Sequence, residues 1–200
     1  QAVARHFLEE HAAGAPYRTL EGALALNDIE EAYRAQQVFV DLSLKARGAA
    51  IAGYKIALTS AAMQAFVGVD HPLLGAILDD TIRTAPGQTD VKSLVADNAW
   101  SGGVVLGEPV TNWRGFDLTS TPTRLESGGE VEAATTGAAL GNPLTALAWA
   151  ANELSAQGRP LDAGMIVMTG STLKTRFPGP GEHFLYEVEG IGSVQMSTIP

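Results

Sequence analysis

A chain of 200 residues, 46% apolar and 18% charged, can bury a sizeable core, and these proportions exclude a disordered chain. With 22 acidic residues against 13 basic ones the net charge is −9, which argues against nucleic-acid binding, because phosphate neutralisation needs a basic face. The lack of cysteine excludes disulfides, thiolate metal sites and a cysteine nucleophile, no apolar run reaches the ~18 residues of a membrane-spanning helix, and Gln1–Glu10 lacks a signal peptide's apolar core, so a cytoplasmic location is expected.

The first fifty residues read as helical. Val3, Phe7 and Leu8 make a short apolar face that closes near Gly14 and Pro16. A second helix starts at a cap on Asn27 or Asp28, carries Glu30 and Glu31 in its first turn, and aligns Ile29, Tyr33, Val40 and Leu44. Lys45 and Arg47 suit its C-terminal end and Gly48 can stop it. From Ala50 to Leu58 an apolar run containing Gly53 and Lys55 predicts a strand, and Gly103–Leu106 predicts another. Ser127-Gly128-Gly129 lies between Arg124–Glu126 and Glu130–Glu132 as a hairpin turn. Asn142 and Pro143 open a further helix, with Leu144, Leu147, Ala148, Ala151 and Leu154 as its buried stripe and Gly158 and Pro160 as its stop. Met165–Thr169 reads as a buried strand. Phe184, Tyr186 and Val188, then Val194 and Met196 after Gly190-Ile191-Gly192, read as a closing hairpin. The sum is an α+β chain: a helical arm over residues 1–49 ahead of a sheet-rich body over 50–200.

Three polar knots at strand ends could carry chemistry. Lys55 stands mid-strand in Gly53-Tyr54-Lys55-Ile56-Ala57-Leu58-Thr59-Ser60. A solvent-facing ammonium is the plain reading, but Gly53 permits close backbone approach and Thr59-Ser60 supply hydroxyls and turn amides. A cation beside such donors suits a small carboxylate or enolate. Asp97-Asn98-Ala99-Trp100-Ser101-Gly102-Gly103 is the second knot and Thr169-Gly170-Ser171-Thr172 the third. Other constellations weigh less. Glu130-x-Glu132 puts two carboxylates on one strand face but follows a Ser-Gly-Gly turn, so an exposed hairpin edge explains it better, and Glu187-x-Glu189 reads the same way. Asp79-Asp80 reads as a cap. His6, His11, His71 and His183 lack metal-ligand spacing, and there is no Gly-x-Ser-x-Gly elbow, Walker A motif or dinucleotide fingerprint.

The knots line up with a known group. Gly53 to Ser60, then Gly68-Val69-Asp70-His71-Pro72 and Gly75, resemble the 2-keto-4-pentenoate hydratase and 4-oxalocrotonate decarboxylase family of the fumarylacetoacetate hydrolase superfamily. Val95-Ala96-Asp97-Asn98-Ala99 with Ser101 and Gly102, Gly137 to Pro143, Met168-Thr169-Gly170-Ser171 and Gly190 to Val194 continue the resemblance in order over nearly the whole chain. It implies a mixed β-roll behind an N-terminal helical arm. It also implies a metal-dependent lyase of aromatic-compound catabolism that hydrates 2-hydroxy-dienoates to 4-hydroxy-2-oxo acids. A decarboxylase of 4-oxalocrotonate type is the alternative. On this resemblance Lys55 stabilises the carboxylate or enolate, with proton transfer as a second role, and Ser101 positions substrate or water. Leu58, Thr59, Ser60 and Ser171 contact the carboxylate, and Asp97 organises its loop at the substrate. Mg²⁺ or Mn²⁺ is the implied cofactor, and the partners are a small 2-oxo acid, further copies of the chain, and a pathway decarboxylase or hydratase.

Two departures stand out. The family's Glu-x-Glu segment and third acidic ligand belong between Asp80 and Asp97, yet the interval 81–96 contains no Glu and only Asp90 as an acid, so no residue here is assigned to a metal. Either the metal site is lost, leaving a non-catalytic partner subunit or an oxo-acid binder, or several dozen residues are missing from this interval. The second is favoured, because deleting a central stretch of a sheet exposes strand edges. Leu73 also replaces the acid that often follows the family's equivalent of Pro72.

Overall fold

A computed structural model describes residues 1–78, 90–101 and 104–199. Its elements are α1 (Ala2–Ala12), α2 (Ile29–Arg47), β1 (Gly53–Ala57), α3 (Ala61–Val67), β2 (Leu73–Ile77), α4 (Val91–Ala96), β3 (Pro122–Ser127), β4 (Glu130–Thr135), α5 (Pro143–Ala156), β5 (Ile166–Met168), β6 (His183–Val188) and β7 (Gly192–Ser197). Two units are distinguished, Gln1–Gly103 with Ala150–Met168 and Val104–Trp149 with Thr169–Pro200.

The first unit holds a three-stranded sheet in the order β2-β1-β5, with β1 antiparallel to β2 and parallel to β5. Lys55 pairs across the ladder with Gly75. All five residues of β2 are buried, and the core gathers Phe7, Phe39, Ile56, Leu73, Leu74, Val95 and Leu154. Local chemistry sets the helix ends. Asp28 Oδ1 accepts from Glu31 N–H at 2.7 Å while Glu31 Oε2 accepts from Asn27 N–H at 2.9 Å, a reciprocal cap on α2. Gly48, at φ 63°, ends α2 in the left-handed region that favours glycine.

An edge strand buried on this scale needs partners for its outward N–H and C=O groups. In β2 side chains supply them. Leu74 N–H donates to Tyr33 Oη at 3.1 Å, and Gln36 Nε2 donates to the Leu74 carbonyl at 2.8 Å. Ala76 N–H donates to Asn98 Oδ1 and Asn98 Nδ2 donates to the Ala76 carbonyl, both at 2.7 Å. Burial pushes the Tyr33 hydroxyl up to about 12, so it stays a neutral donor and acceptor.

The second unit holds an antiparallel sheet in the order β4-β3-β6-β7. Gly128 and Gly129, at φ 59° and 83°, make the two-residue turn between β3 and β4 that the sequence predicts. Leu125, Tyr186 and Val194 face one side in register.

Several expectations need correction. Val104–Leu106 lies outside any strand, with Leu106 63% exposed, and Gly103 lies outside the described residues. An apolar run makes a strand only when a neighbour completes its ladder, and none does so among the described residues. The stripe of α5 is Ala146, Ala150 and Leu154, with Leu144 exposed. That of α2 is Ala32, Ala35, Gln36, Phe39, Val40 and Ser43, so small residues face inward where the helix packs close. β5 is half-buried because it forms a sheet edge.

Gly75 is required by close approach: a Cβ there would sit 2.4 Å from the Asn98 carbonyl oxygen and 3.1 Å from its carbon. Gly75→Ala should therefore lower stability by ~1–3 kcal/mol in urea unfolding, since backbone must move. Gly115→Ala, whose Cβ would meet nothing within 4 Å, should stay within ~0.5 kcal/mol of the parent.

Candidate active site

The cross-strand pair of Lys55 and Gly75 organises the site. Glycine leaves the sheet face bare opposite the lysine, and the turn after α4 settles there. That turn is made of Asn98, Ala99 and Trp100, at φ 56°, 51° and 52°, three successive non-glycine residues in the left-handed region. Each carries about 1–2 kcal/mol of strain relative to a right-handed conformation. The turn is held by the Asn98–Ala76 pair, by Trp100 N–H donating to the Asp97 carbonyl at 3.2 Å, and by Ser101 N–H donating to the Asn98 carbonyl at 3.0 Å. Tyr17 packs edge-on against the Trp100 indole, 5.1 Å between ring centroids.

Lys55 reaches this turn. Its ammonium donates to the Ala99 carbonyl at 3.2 Å, two residues before the buried Ser101. Burial lowers its pKa from the usual lysine value, because a desolvated ammonium is costly. Structure thus brings Lys55, the left-handed turn and Ser101 together.

The exit of β1 supplies the rest of the first knot. Leu58 is left-handed at φ 55°, and its carbonyl accepts from Gln64 Nε2 at 2.8 Å. Thr59 is buried, and Ser60 caps α3, its Oγ accepting from Met63 N–H at 3.3 Å. Ser171 belongs to the second unit, where its hydroxyl donates to the Leu173 carbonyl at 2.6 Å. Beside it, Thr172 Oγ1 meets the Tyr186 hydroxyl at 3.0 Å.

Asp97 faces inward: its Oδ1 lies 2.7 Å from His11 Nε2, with the carboxylate 1% exposed. The sequence offers His11 only as a metal ligand without ligand spacing, although Val3, Phe7 and His11 stand four residues apart on one helix face. Asn98 is legible there only as part of the second polar knot, because its role depends on a strand 22 residues away.

Two of the carboxylates set aside on sequence grounds, Glu130 and Glu132, have structural partners. Arg176 bridges Glu130 and Glu132 at 3.5 and 2.8 Å, and the Lys174 N–H and Arg176 hold Glu132 below the usual carboxylate range. Asp90 is the N-cap of α4, accepting from Ser93 N–H at 2.8 Å. Leu73 is fully buried, so hydrocarbon fills the place where the resemblance expects an acid. Asp79, Asp80, Gly102, Gly103 and most of the interval 81–96 lie outside the described residues. Among the described residues no three His, Asp or Glu side chains stand together as a metal-ligand group.

No family model matches the chain. It is 31% identical over 237 positions to 2-keto-4-pentenoate hydratase 2 of Dechloromonas aromatica (strain RCB), covering 90% of each protein. It is 30% identical over 254 positions to 2-keto-4-pentenoate hydratase of Burkholderia vietnamiensis (strain G4 / LMG 22486), covering 97% of this chain and 95% of that one. A 4-oxalocrotonate decarboxylase of Pseudomonas putida is 37% identical over 106 positions, 52% of this chain and 40% of that protein. The fold matches 4-oxalocrotonate decarboxylase from Pseudomonas putida G7, solved with calcium and acetate and with magnesium and adipate, at a TM-score of 0.83 and 24% identity over 97% of this chain and 95% of that one. The Burkholderia alignment has 254 positions against 200 residues here, so at least 54 of them have no residue in this chain.

Asn98 gives the site a direct test. Asn98→Asp keeps a residue tolerant of the left-handed region but turns an oxygen toward the Ala76 carbonyl, and should cost ~3 kcal/mol in urea unfolding. Asn98→Gly relieves strain yet removes the amide. It should also be destabilised, because the two buried hydrogen bonds outweigh the relief.

Proposed function

We propose that this chain, which belongs to the 2-keto-4-pentenoate hydratase family, hydrates 2-hydroxy-dienoates of the 2-oxopent-4-enoate type. The observation that carries this reading is the extent of the match. The Dechloromonas and Burkholderia 2-keto-4-pentenoate hydratases align over 90% and 97% of the chain, whereas the curated decarboxylase aligns over 52%. Decarboxylation of a 4-oxalocrotonate-type acid is the second reading, favoured by that local match. The mixed helix-and-sheet architecture is read, more finely, as the mixed β-roll of the fumarylacetoacetate hydrolase superfamily.

The chemistry follows from the residues around Lys55. The dienol loses its hydroxyl proton and gains one at its distal carbon, giving a conjugated 2-oxo acid. Water then adds across the remaining carbon–carbon double bond, its oxygen to C4 and its proton to C3. Negative charge builds on the oxygen at C2 during the first step. A half-buried ammonium stabilises such charge strongly, because little water competes with it and it needs no reorientation. Its lowered pKa also eases release of a proton. Ser101 is the hydroxyl that would orient substrate or water. Leu58, Thr59 and Ser60 are assigned to the carboxylate, and Asp97 to the shape of the loop.

A divalent ion supplies Lewis acidity in this chemistry, and the magnesium and calcium complexes of the solved decarboxylase support Mg²⁺ or Mn²⁺ as the cofactor. Among the described residues no ligand group for it stands together, so the steps above name only what side chains of this chain do. No described helix is long and apolar enough to cross a membrane. A cytoplasmic homo-oligomer is our reading of the chain's state, supported by the exposed Val105, Leu106 and Phe177.

The hydratase reading is tested with 2-hydroxypenta-2,4-dienoate, whose dienol absorbance should disappear with formation of the 4-hydroxy-2-oxo acid. The same preparation should release no CO₂ from 4-oxalocrotonate; the opposite pattern establishes the decarboxylase. Turnover should cease in EDTA and return with Mg²⁺ or Mn²⁺.

Lys55→Met removes the charge and keeps most of the stem. It should lower kcat by about two to three powers of ten, the weight of one oriented electrostatic donor, with unchanged circular dichroism. A rate within threefold of the parent removes Lys55 from catalysis. Between the lowered folded pKa and the unfolded 10.5, the unfolded chain binds more protons, so the parent should gain stability over the Met variant as pH rises through that window.

A further inference from the structure

The N-terminal region grips α4 at every second residue. Leu20 N–H donates to the buried Ser93 Oγ at 2.8 Å, Gln36 Nε2 donates to the Val95 carbonyl at 2.8 Å, and His11 Nε2 lies 2.7 Å from Asp97 Oδ1. The Lys92 ammonium adds a hydrogen bond to the Leu26 carbonyl. The first two contacts hold the helix. The third acts where the helix ends and the left-handed turn of Asn98, Ala99 and Trp100 begins.

His11 is built into this position. It occupies the last turn of α1, its ring lies 5.1 Å from that of Phe39, and its side chain is 12% exposed. A carboxylate as buried as Asp97 needs hydrogen-bond donors. The C-terminal end of α4 presents carbonyls to it instead, so the imidazole N–H meets a need that the helix itself does not. Every degree of freedom taken from Asp97 is also taken from the turn that follows, because Trp100 N–H is bonded to the Asp97 carbonyl.

We propose that His11 is a positioning residue for the reaction. Through Asp97 it fixes the turn that accepts the Lys55 hydrogen bond and delivers Ser101, which makes α1 part of the apparatus of the site. His11 itself touches no substrate. The kinetic consequence rests on the hydratase reading given above; the conformational one does not.

Two measurements on two variants test this. His11→Phe keeps a ring against Phe39 and removes the N–H; His11→Gln retains an amide N–H near the place of Nε2. In the Phe variant, residues 98–101 should exchange backbone hydrogen at least tenfold faster, by mass spectrometry, while β6 and β7 remain as in the parent. Its kcat on the dienol should fall at least tenfold, and the Gln variant should recover to within threefold of the parent. Unchanged exchange at 98–101, or equal loss in both variants, overturns the proposal. If the Phe variant does not fold, His11→Asn, whose amide stops short of Asp97, takes its place in both measurements. If the parent shows no turnover, the hydratase reading falls, and the exchange measurement alone decides the role of His11.

Discussion

The carboxamide of Asn98 completes the free edge of β2. That strand is buried along its whole length yet ends the sheet, so its outward N–H and C=O groups would be stranded without partners. One side chain provides both a donor and an acceptor to Ala76, as a neighbouring strand would, while Tyr33 and Gln36 do the same for Leu74. The geometry of this pairing obliges the chain after α4 to fold back over the sheet. Three left-handed residues are the outcome, and the buried hydrogen bonds offset their strain.

The position of Lys55 follows from that fold-back. Because Gly75 stands opposite it, the turn can approach the sheet to a distance that any Cβ would forbid. The ammonium then finds the backbone carbonyl of Ala99, and its desolvation lowers its pKa. An anion is a better partner for an ammonium than a neutral carbonyl, and the role proposed for Lys55 draws on that difference.

The region before β1 is more than a decoration on the sheet. Its contacts fall on Ser93, Val95 and Asp97, at the helix that leads into the turn. The N-terminal region and the strand carrying Lys55 therefore both bear on the segment from Ser93 to Ala99.

What the sequence determined alone is local. The helix start at Asn27 or Asp28, the Gly48 stop, the Gly128-Gly129 hairpin and the strand at Lys55 depend on residues within a few positions of one another, so periodicity and turn chemistry were sufficient to read them. The motif resemblance singled out Lys55, Asp97 and Ser101 as candidates, and hairpin context set aside Glu130 and Glu132, which Arg176 occupies. Tertiary structure alone decided the contacts between distant residues: Asn98 with Ala76, Lys55 with Ala99 across 44 positions, and His11 with Asp97 across 86. It also decided which apolar residues of α2 and α5 face inward, and it denied Val104–Leu106 a strand. The physical reason is the same in each case. A buried polar group or a strand edge is stable only with a partner, and that partner is chosen by packing in space, which local sequence patterns do not encode.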